Sequence, residues 1–131
     1  MFLKKERTLL FRGKRYDPIK DNDRKEWVCG GVYQNDGNFS IIYTDINASC
    51  AVHTDTLCQY SGKDDYTGTP VYEGDILETE TGLWVVKYDQ GSFLVSCLSY
   101  SCLEYLYSLS ASYKVIGNVF DDPDIVRRYL P

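Results

Sequence analysis

The apolar residues of this chain fall in short segments separated by turn residues, a pattern typical of a meander of small strands. In the first half, "WVCGGVYQ" (27–34) and "FSIIYT" (39–44) both have strand character. The residues between them, "NDGN" (35–38), tolerate positive φ angles. Because such residues favour the tight turns that join antiparallel strands, this stretch predicts a β-hairpin.

The segments on either side of this hairpin are less regular. Upstream, "TLLFRG" (8–13) is predicted to be a strand that ends at Gly13. The stretch between Tyr16 and Trp27 is polar and contains Pro and several Asp residues, so we expect an exposed loop there. Downstream, residues 44–70 predict one strand near "TLCQYS" and then a long turn.

The second half shows a cleaner alternation. "DILETE" (75–80), "LWVVKY" (83–88) and "SFLVSC" (92–97) predict three successive antiparallel strands joined by tight turns. A period of two assigns two sets of side chains to one face of their strands: Trp84, Val86 and Tyr88, and then Phe93, Val95 and Cys97. Short strands in such close succession are typical of a small SH3-like barrel.

Two short helices are predicted near the end. In "LSYSCLEYLYSL" (98–109) the apolar residues Leu98, Cys102, Leu106 and Leu109 recur at helical spacing, although the tyrosines of this stretch also suit a strand. The segment "YKVIGNVF" (113–120) predicts a closing strand. Asp122 as N-cap and Pro123 at the first helical position then predict a terminal helix.

These elements predict a single mainly β domain, of the β-rich α+β class, that spans residues 1–131. We expect a β-hairpin lobe over 1–55 and an SH3-like β-barrel over 56–131 that carries the short terminal helix. A chain of 131 residues buries enough apolar surface to fold without disulfides or a metal.

Charge and hydropathy bear on nucleic-acid binding and on the location of the protein. The formal net charge is −5 and the pI about 4.8, which disfavours nucleic-acid binding. Positive charge is concentrated in "KKER" (4–7) and "RGKRY" (12–16). The chain has no apolar run long enough to span a membrane and no uninterrupted apolar stretch at its start, so we expect a cytoplasmic protein.

Three blocks of the sequence carry a family resemblance. They are "LLFRGKR" with "EWV" after it, "QYSGKDDYTGTPVYEGDIL" (59–77) and "VIGNVFDDPDIV" (115–126). Their order and content resemble the YopX-like proteins of phages and prophages, although Cys58 replaces a usual glycine and Ser61 a usual threonine. The resemblance implies an SH3-like barrel and an accessory protein with no established enzymatic activity, and it supplies no catalytic residues.

The acidic residues around Gly74 admit two interpretations. The carboxylates of Asp64, Asp65, Glu73 and Asp75 would suit a hard cation or acid and base chemistry if they converged. Alternatively, Gly74 adopts a backbone conformation that other residues avoid, and Asp75 accepts hydrogen bonds from amides of the same turn. We favour the structural interpretation.

The five cysteines are interpreted as free thiols. Cys50, His53 and Cys58 lie close together in sequence, with Cys29 as the one plausible fourth zinc ligand, but their spacing matches no zinc finger. The sequence contains no catalytic constellation, P-loop or dinucleotide fingerprint. We therefore expect no metal, no cofactor and no enzymatic activity.

Aromatic and basic residues supply the candidate interaction surfaces. The candidates are Arg12, Lys14, Arg15, Trp27, Tyr100, Tyr105 and Tyr107. Aromatic side chains anchor protein interfaces, so we expect an unknown protein partner, or a second copy of the chain in a homo-oligomer. The alternative is a nucleic-acid module that stacks bases on Tyr33, Tyr43, Tyr60, Tyr72 and Tyr88 beside the basic residues.

Overall fold

The computed structural model describes residues 9–19, 23–37, 39–44, 48–109 and 112–129. Within them the chain is mainly β. The strands are β1 (Phe11–Lys14), β2 (Trp27–Gly30), β3 (Val32–Asp36), β4 (Phe39–Tyr43), β5 (Ser49–His53), β6 (Cys58–Asp64), β7 (Pro70–Tyr72), β8 (Asp75–Thr79), β9 (Gly82–Asp89), β10 (Ser92–Cys97), β11 (Leu103–Tyr105) and β12 (Lys114–Asn118), and the helix is α1 (Pro123–Arg127). The chain divides into two compact units, Met1–Gly62 and Lys63–Pro131.

Antiparallel pairing organises the strands of the first unit. β1 lies between β2 and β6, so that Arg12 is opposite Cys29 on one side and Cys58 on the other. β3, β4 and β5 form a separate meander. Its first turn contains Gly37 at a φ of 82°, as a tight turn requires, and the predicted hairpin is thereby confirmed.

The core of the first unit explains why Gly13 does not end its strand. The buried residues are Val28, Ile42 and Val52, with Cys50 and Leu57 packed against them. Gly13 lies inside β1, where a Cβ atom would be only 2.7 Å from a methyl carbon of Val52. The predicted strand end at Gly13 is therefore wrong, because the glycine serves close packing between β1 and β5.

The second unit contains a five-stranded sheet in the order β11-β10-β9-β8-β12. Gln90 and Gly91 have φ angles of 51° and 78°, which close β9 onto β10 through a two-residue turn. Cys97 is opposite Trp84 and Val95 is opposite Val86. The three predicted strands and the predicted faces of β9 and β10 are confirmed.

The core of the second unit lies on one face of this sheet. Its buried residues are Val71, Leu77, Trp84, Val86, Val95, Cys97, Leu106 and Tyr113. Tyr88, at the far end of β9, is 48% exposed and therefore lies outside this core.

Residues 98–109 differ from the expectation. The predicted short helix is wrong, because Leu103–Tyr105 pair with β10 as strand β11. A single 3-10 turn, Leu106–Ser108, follows and buries Leu106. The apolar spacing had reflected one buried leucine beside an edge strand, and the tyrosines that also suited a strand were the better guide.

The terminal helix is confirmed, with Pro123 at its first turn. The carboxylate of Asp122 does not cap the helix and instead accepts a hydrogen bond from the amide of Asn118 at 3.1 Å.

The β-rich class of the fold is confirmed, but closure of an SH3-like barrel is not. Among the described strands, every sheet is open. In the described part of the chain, no helix has the length and apolar character needed to cross a bilayer.

Candidate functional site

Two groups of the predicted interaction residues come together, one in each unit. In the first unit, Arg12 and Lys14 are two residues apart on β1 and therefore lie on the same face of the strand. Lys14 is paired with Trp27 of β2. The guanidinium carbon of Arg12 lies 4.5 Å from the centroid of the Trp27 ring, and the ammonium of Lys14 lies 4.6 Å from it. Both distances are typical of cation–π contacts, so these three residues form one structural group, here called the Trp27 cluster.

The Trp27 cluster is largely occupied with internal contacts. Lys14 is only 5% exposed, and its backbone amide donates to the hydroxyl of Thr56 at 2.8 Å. Arg15, the next basic residue, forms an ion pair with Glu26 at 3.2 Å. Because Lys14 is buried and Arg15 is paired with a carboxylate, this part of the surface offers little net positive charge to a phosphate.

The tyrosines considered for base stacking also have packing roles. Tyr33 lies edge-on to Phe11 with ring centroids 4.8 Å apart, and Tyr72 is buried. In the second unit, Tyr88 lies edge-on to Phe93 at 5.0 Å. These contacts account for the rings of Tyr33, Tyr72 and Tyr88 without a ligand.

In the second unit, β11 and the turn after it carry exposed apolar side chains. Tyr105 and Tyr107 stack with ring centroids 5.2 Å apart and an interplanar angle of 21°. They are nevertheless 48% and 69% exposed, and Leu103, two residues before Tyr105 on the same face of β11, is 62% exposed. We call Leu103, Tyr105 and Tyr107 the tyrosine patch.

The backbone of β11 adds hydrogen-bonding capacity to the tyrosine patch. β11 is the last strand of its sheet among the described residues. The amide of Cys97 donates to the carbonyl of Cys102 at 3.0 Å, and Val95 is opposite Glu104. Along an antiparallel strand, residues whose backbone groups bond the neighbouring strand alternate with residues whose backbone groups point away from it. Because Cys102 and Glu104 face β10, the amides and carbonyls of Leu103 and Tyr105 point toward the open edge.

Tyr100, the third predicted tyrosine, is placed differently. Its ring lies edge-on to Trp84 at 6.2 Å. Tyr100 is 51% exposed, but desolvation of its hydroxyl, followed by the interaction with Cys97, raises the pKa of that hydroxyl. Leu103 was not predicted from the sequence to be an exposed interaction residue, because residues 98–109 were interpreted as a helix. The signal that would have identified it is strand alternation with Tyr105.

The acidic residues around Gly74 act on the backbone. Gly74 has a φ of 87°. Asp75 is fully buried, and its carboxylate accepts a hydrogen bond of 2.8 Å from the backbone amide of Tyr72. The structural interpretation of this turn is therefore confirmed. Within the described ranges, no three His, Cys, Asp or Glu side chains are grouped as metal ligands would be.

Asp65 is engaged in a separate set of hydrogen bonds. One carboxylate oxygen accepts the amide and hydroxyl of Thr67 and the amide of Thr69, and the other accepts the amide of Val115 at 2.9 Å. Burial of Asp65 acts to raise its pKa, but these hydrogen bonds outweigh burial and lower the pKa to about 2. Asp65 thus holds the 65–69 turn against β12.

The zinc candidates of the first unit have separate neighbours. The thiol of Cys50 points to the carbonyl of Ala51, and that of Cys58 to the carbonyl of Thr56 at 3.3 Å. His53 lies 2.5 Å from a carboxylate oxygen of Asp23. The amide of Asp17 first, and then His53, lower the pKa of Asp23. His53 thus anchors the loop that the sequence predicted to be merely exposed.

Together, these observations describe a mainly β protein with an exposed apolar patch on its edge strand β11. The chain belongs to the YopX family: the family model described as "YopX protein" matches residues 2–127. The resemblance carried by the three sequence blocks is therefore confirmed. Comparison with curated proteins gives no match.

Proposed function

We propose that this YopX-family chain is a non-catalytic phage or prophage accessory protein that binds another protein through the tyrosine patch. The supporting observation is the stacked pair of Tyr105 and Tyr107, which leaves 48% and 69% of the two residues exposed. Tyrosine provides a large contact area at a low cost in conformational entropy. A pre-stacked pair loses still less freedom on binding, which favours its use as an anchor.

The open edge of β11 favours a partner that binds as an extended segment. Outward-pointing amides and carbonyls of Leu103 and Tyr105 match the hydrogen-bonding pattern of an added strand, and the side chains of these residues flank it. A second copy of this chain is one source of such a strand, so a homo-oligomer is included in the proposal.

Two further features belong to the proposal. We place the chain in the cytoplasm of a bacterial host. We also propose that the second unit is an SH3-like barrel that is not fully closed, which the strand order β11-β10-β9-β8-β12 supports. Closure would require β11 to pair with β12.

Replacing both Tyr105 and Tyr107 with serine is expected to weaken partner binding about 10-fold or more, because aromatic anchors each contribute about 1 to 2 kcal/mol or more at interfaces. The measurement is affinity capture from host cells that carry the phage, with quantitative mass spectrometry of what is recovered. The matched control is Tyr66→Ser, since Tyr66 is 66% exposed in the same unit but lies outside the patch.

A partner that is recovered with the wild type and Tyr66→Ser, but not with the double variant, would support the proposal. Equal recovery with all three proteins would refute the role of the patch. Sedimentation velocity on the same proteins identifies self-association: a dimer that the double variant loses would identify the partner as a second copy.

The alternative function is nucleic-acid association through the Trp27 cluster, which the convergence of Arg12, Lys14 and Trp27 favours. Given the charge of −5 and the burial of Lys14, we expect no mobility shift with single- or double-stranded oligonucleotides at about 150 mM salt. A shift that weakens with added salt and with Arg12→Glu, and not with Glu104→Gln, would establish the alternative instead.

A further inference from the structure

Cys97 and Cys102 stand opposite each other at the end of the β10–β11 pair. Ser96 is opposite Leu103, and the hydrogen bond from the amide of Cys97 to the carbonyl of Cys102 at 3.0 Å continues this register by one residue. Four residues separate the two cysteines, in the segment "CLSYSC". The fold therefore pairs two thiols that the sequence analysis had treated as unrelated.

The geometry of this pair fits a disulfide. Hydrogen-bonded opposite residues in antiparallel strands have Cα atoms about 5.5 Å apart. Disulfides span Cα separations of about 4.4 to 6.8 Å. Both side chains also lie on the same face, since Cys97 belongs to the core of the second unit and Cys102 packs against that core.

The segment between the two cysteines can accommodate the approach of their sulfur atoms. Ser99, Tyr100 and Ser101 are exposed, and no proline is present. Opposite Cβ atoms on paired strands are about 4.5 to 5.5 Å apart, whereas a disulfide needs about 3.5 to 4.5 Å. Because hydrogen-bonded pairs lie at the wide end of the first range, the two Cβ atoms must approach by about 1 to 2 Å, which the end of a short strand beside an exposed turn can provide.

We propose that Cys97 and Cys102 form a reversible dithiol–disulfide pair, oxidised by small-molecule disulfides such as oxidised glutathione. Cys102 is half-buried and Cys97 only 7% exposed, so the thiolate of Cys102 attacks the oxidant first. One glutathione thiolate leaves, and Cys102 carries the mixed disulfide. The thiolate of Cys97 then attacks the Cys102 sulfur and releases the second glutathione. The protein loses two electrons and two protons, and the oxidant is reduced to two thiols.

The reaction depends on pH. Burial raises the pKa of the Cys102 thiol, with smaller contributions from Glu104 and Cys97. Because only the thiolate attacks, oxidation is expected to speed up between about pH 7 and pH 9. Excess glutathione or another monothiol reverses it, since the product is a disulfide.

The sequence permits a direct test on the full-length protein. No lysine or arginine lies between Lys87 and Lys114, so trypsin releases Tyr88–Lys114 with Cys97 and Cys102 as its only cysteines. The protein is treated with oxidised glutathione until the exposed Cys29 has reacted, alkylated in denaturant and digested. We expect Tyr88–Lys114 to lack both alkyl groups and to be two hydrogen atoms lighter than the reduced peptide.

Single variants separate the pair from unspecific oxidation. In Cys97→Ala, the resolving thiol is missing, so a glutathione adduct should accumulate on Cys102. In Cys102→Ser, the peptide should remain alkylated at Cys97. Full alkylation of both residues in the wild type, separate glutathione adducts on both, or disulfides that join either one to Cys29, Cys50 or Cys58 would overturn the proposal.

Discussion

Replacing Asp65 with alanine is expected to lower the free energy of unfolding by about 3 kcal/mol, among the larger effects of a single substitution. The Asp65 carboxylate is 6% exposed and accepts four hydrogen bonds, from Thr67, Thr69 and Val115. Alanine leaves these donors without their acceptor and removes the hydrogen bond that joins the 65–69 turn to Val115 of β12. Denaturation in urea, followed by tryptophan fluorescence, measures the change.

Asp65→Asn tests whether stability depends on the two acceptor oxygens of the Asp65 carboxylate, because asparagine keeps nearly the same size and shape. One carboxylate oxygen serves Thr67 and Thr69, and the other serves Val115. The amide group of asparagine replaces one oxygen with a donor, which must then face another donor. We expect a loss of about 2 kcal/mol, since an unsatisfied buried group costs about 1 to 3 kcal/mol. Asp89→Asn, at an exposed position of the β9–β10 turn, is the control and should change stability by less than about 0.5 kcal/mol.

Asp65 also predicts how stability depends on pH. Its pKa falls from 3.8 to about 2 on folding, so the stabilisation is fully present above pH 4 and is lost as the pH falls toward 2. One unit of pKa corresponds to about 1.4 kcal/mol, which gives roughly 2 to 3 kcal/mol for the whole window. The wild type should lose more stability than Asp65→Asn between pH 4 and pH 2. Parallel curves for the two proteins would contradict this role.

The sequence predicted those parts of the fold that local chemistry determines. Turn residues such as Gly37 and Gly91 determine where hairpins close, and period-two alternation assigned Trp84 and Val86 to the core face. The bend at Gly74 was likewise predictable, because glycine between two acidic residues is typical of a strand-initiating turn.

Features that depend on contacts distant in sequence were not predictable. Gly13 was interpreted as a strand end because its contact with Val52 comes from β5, far along the chain. In the 98–109 segment, pairing with β10 prevailed over apolar spacing that also fits a helix. The Trp27 cluster was identified residue by residue, but its internal cation–π contacts depend on the register of β1 and β2.

The candidate surface was predicted only in composition. Tyr105 and Tyr107 were named, but their stacking, the separate position of Tyr100 and the exposure of Leu103 follow from the position of β11 at a sheet edge. No local signal in a single sequence states which strand will be an edge. The pairing of Cys97 with Cys102 was missed because residues 98–109 were interpreted as a helix and not as a strand paired with β10.

Replacing Asp75 with alanine is expected to lower the free energy of unfolding by about 3 kcal/mol, again a large effect for one side chain. Asp75 is fully buried, starts β8 and accepts the amide of Tyr72 at 2.8 Å across the turn. Removing the carboxylate leaves a buried amide without this acceptor and a cavity beside the core. Urea denaturation again gives the measurement.

Substitutions of the two preceding residues provide a comparison for the loss of unfolding free energy in Asp75→Ala. Gly74→Ala should cost about 1 to 2 kcal/mol, since Gly74 has a φ of 87° and other residues pay about that amount in the left-handed region. Glu73→Gln keeps the length of its side chain and should cost less than about 1 kcal/mol. The order Asp75→Ala, Gly74→Ala, Glu73→Gln is expected if the turn is structural.

Divalent cations distinguish the structural turn from a cation site. A cation that bound only the folded protein would stabilise it in proportion to the logarithm of its concentration. We expect millimolar Mg²⁺, Mn²⁺ or Ca²⁺ to leave the urea midpoint of the wild type unchanged, because the Asp75 carboxylate is committed to the Tyr72 amide and the Asp65 carboxylate to its own turn. A midpoint that rises with the cation in the wild type and not in Asp75→Ala would show instead that this carboxylate binds the ion, and the protein-binding proposal would then have to include a metal.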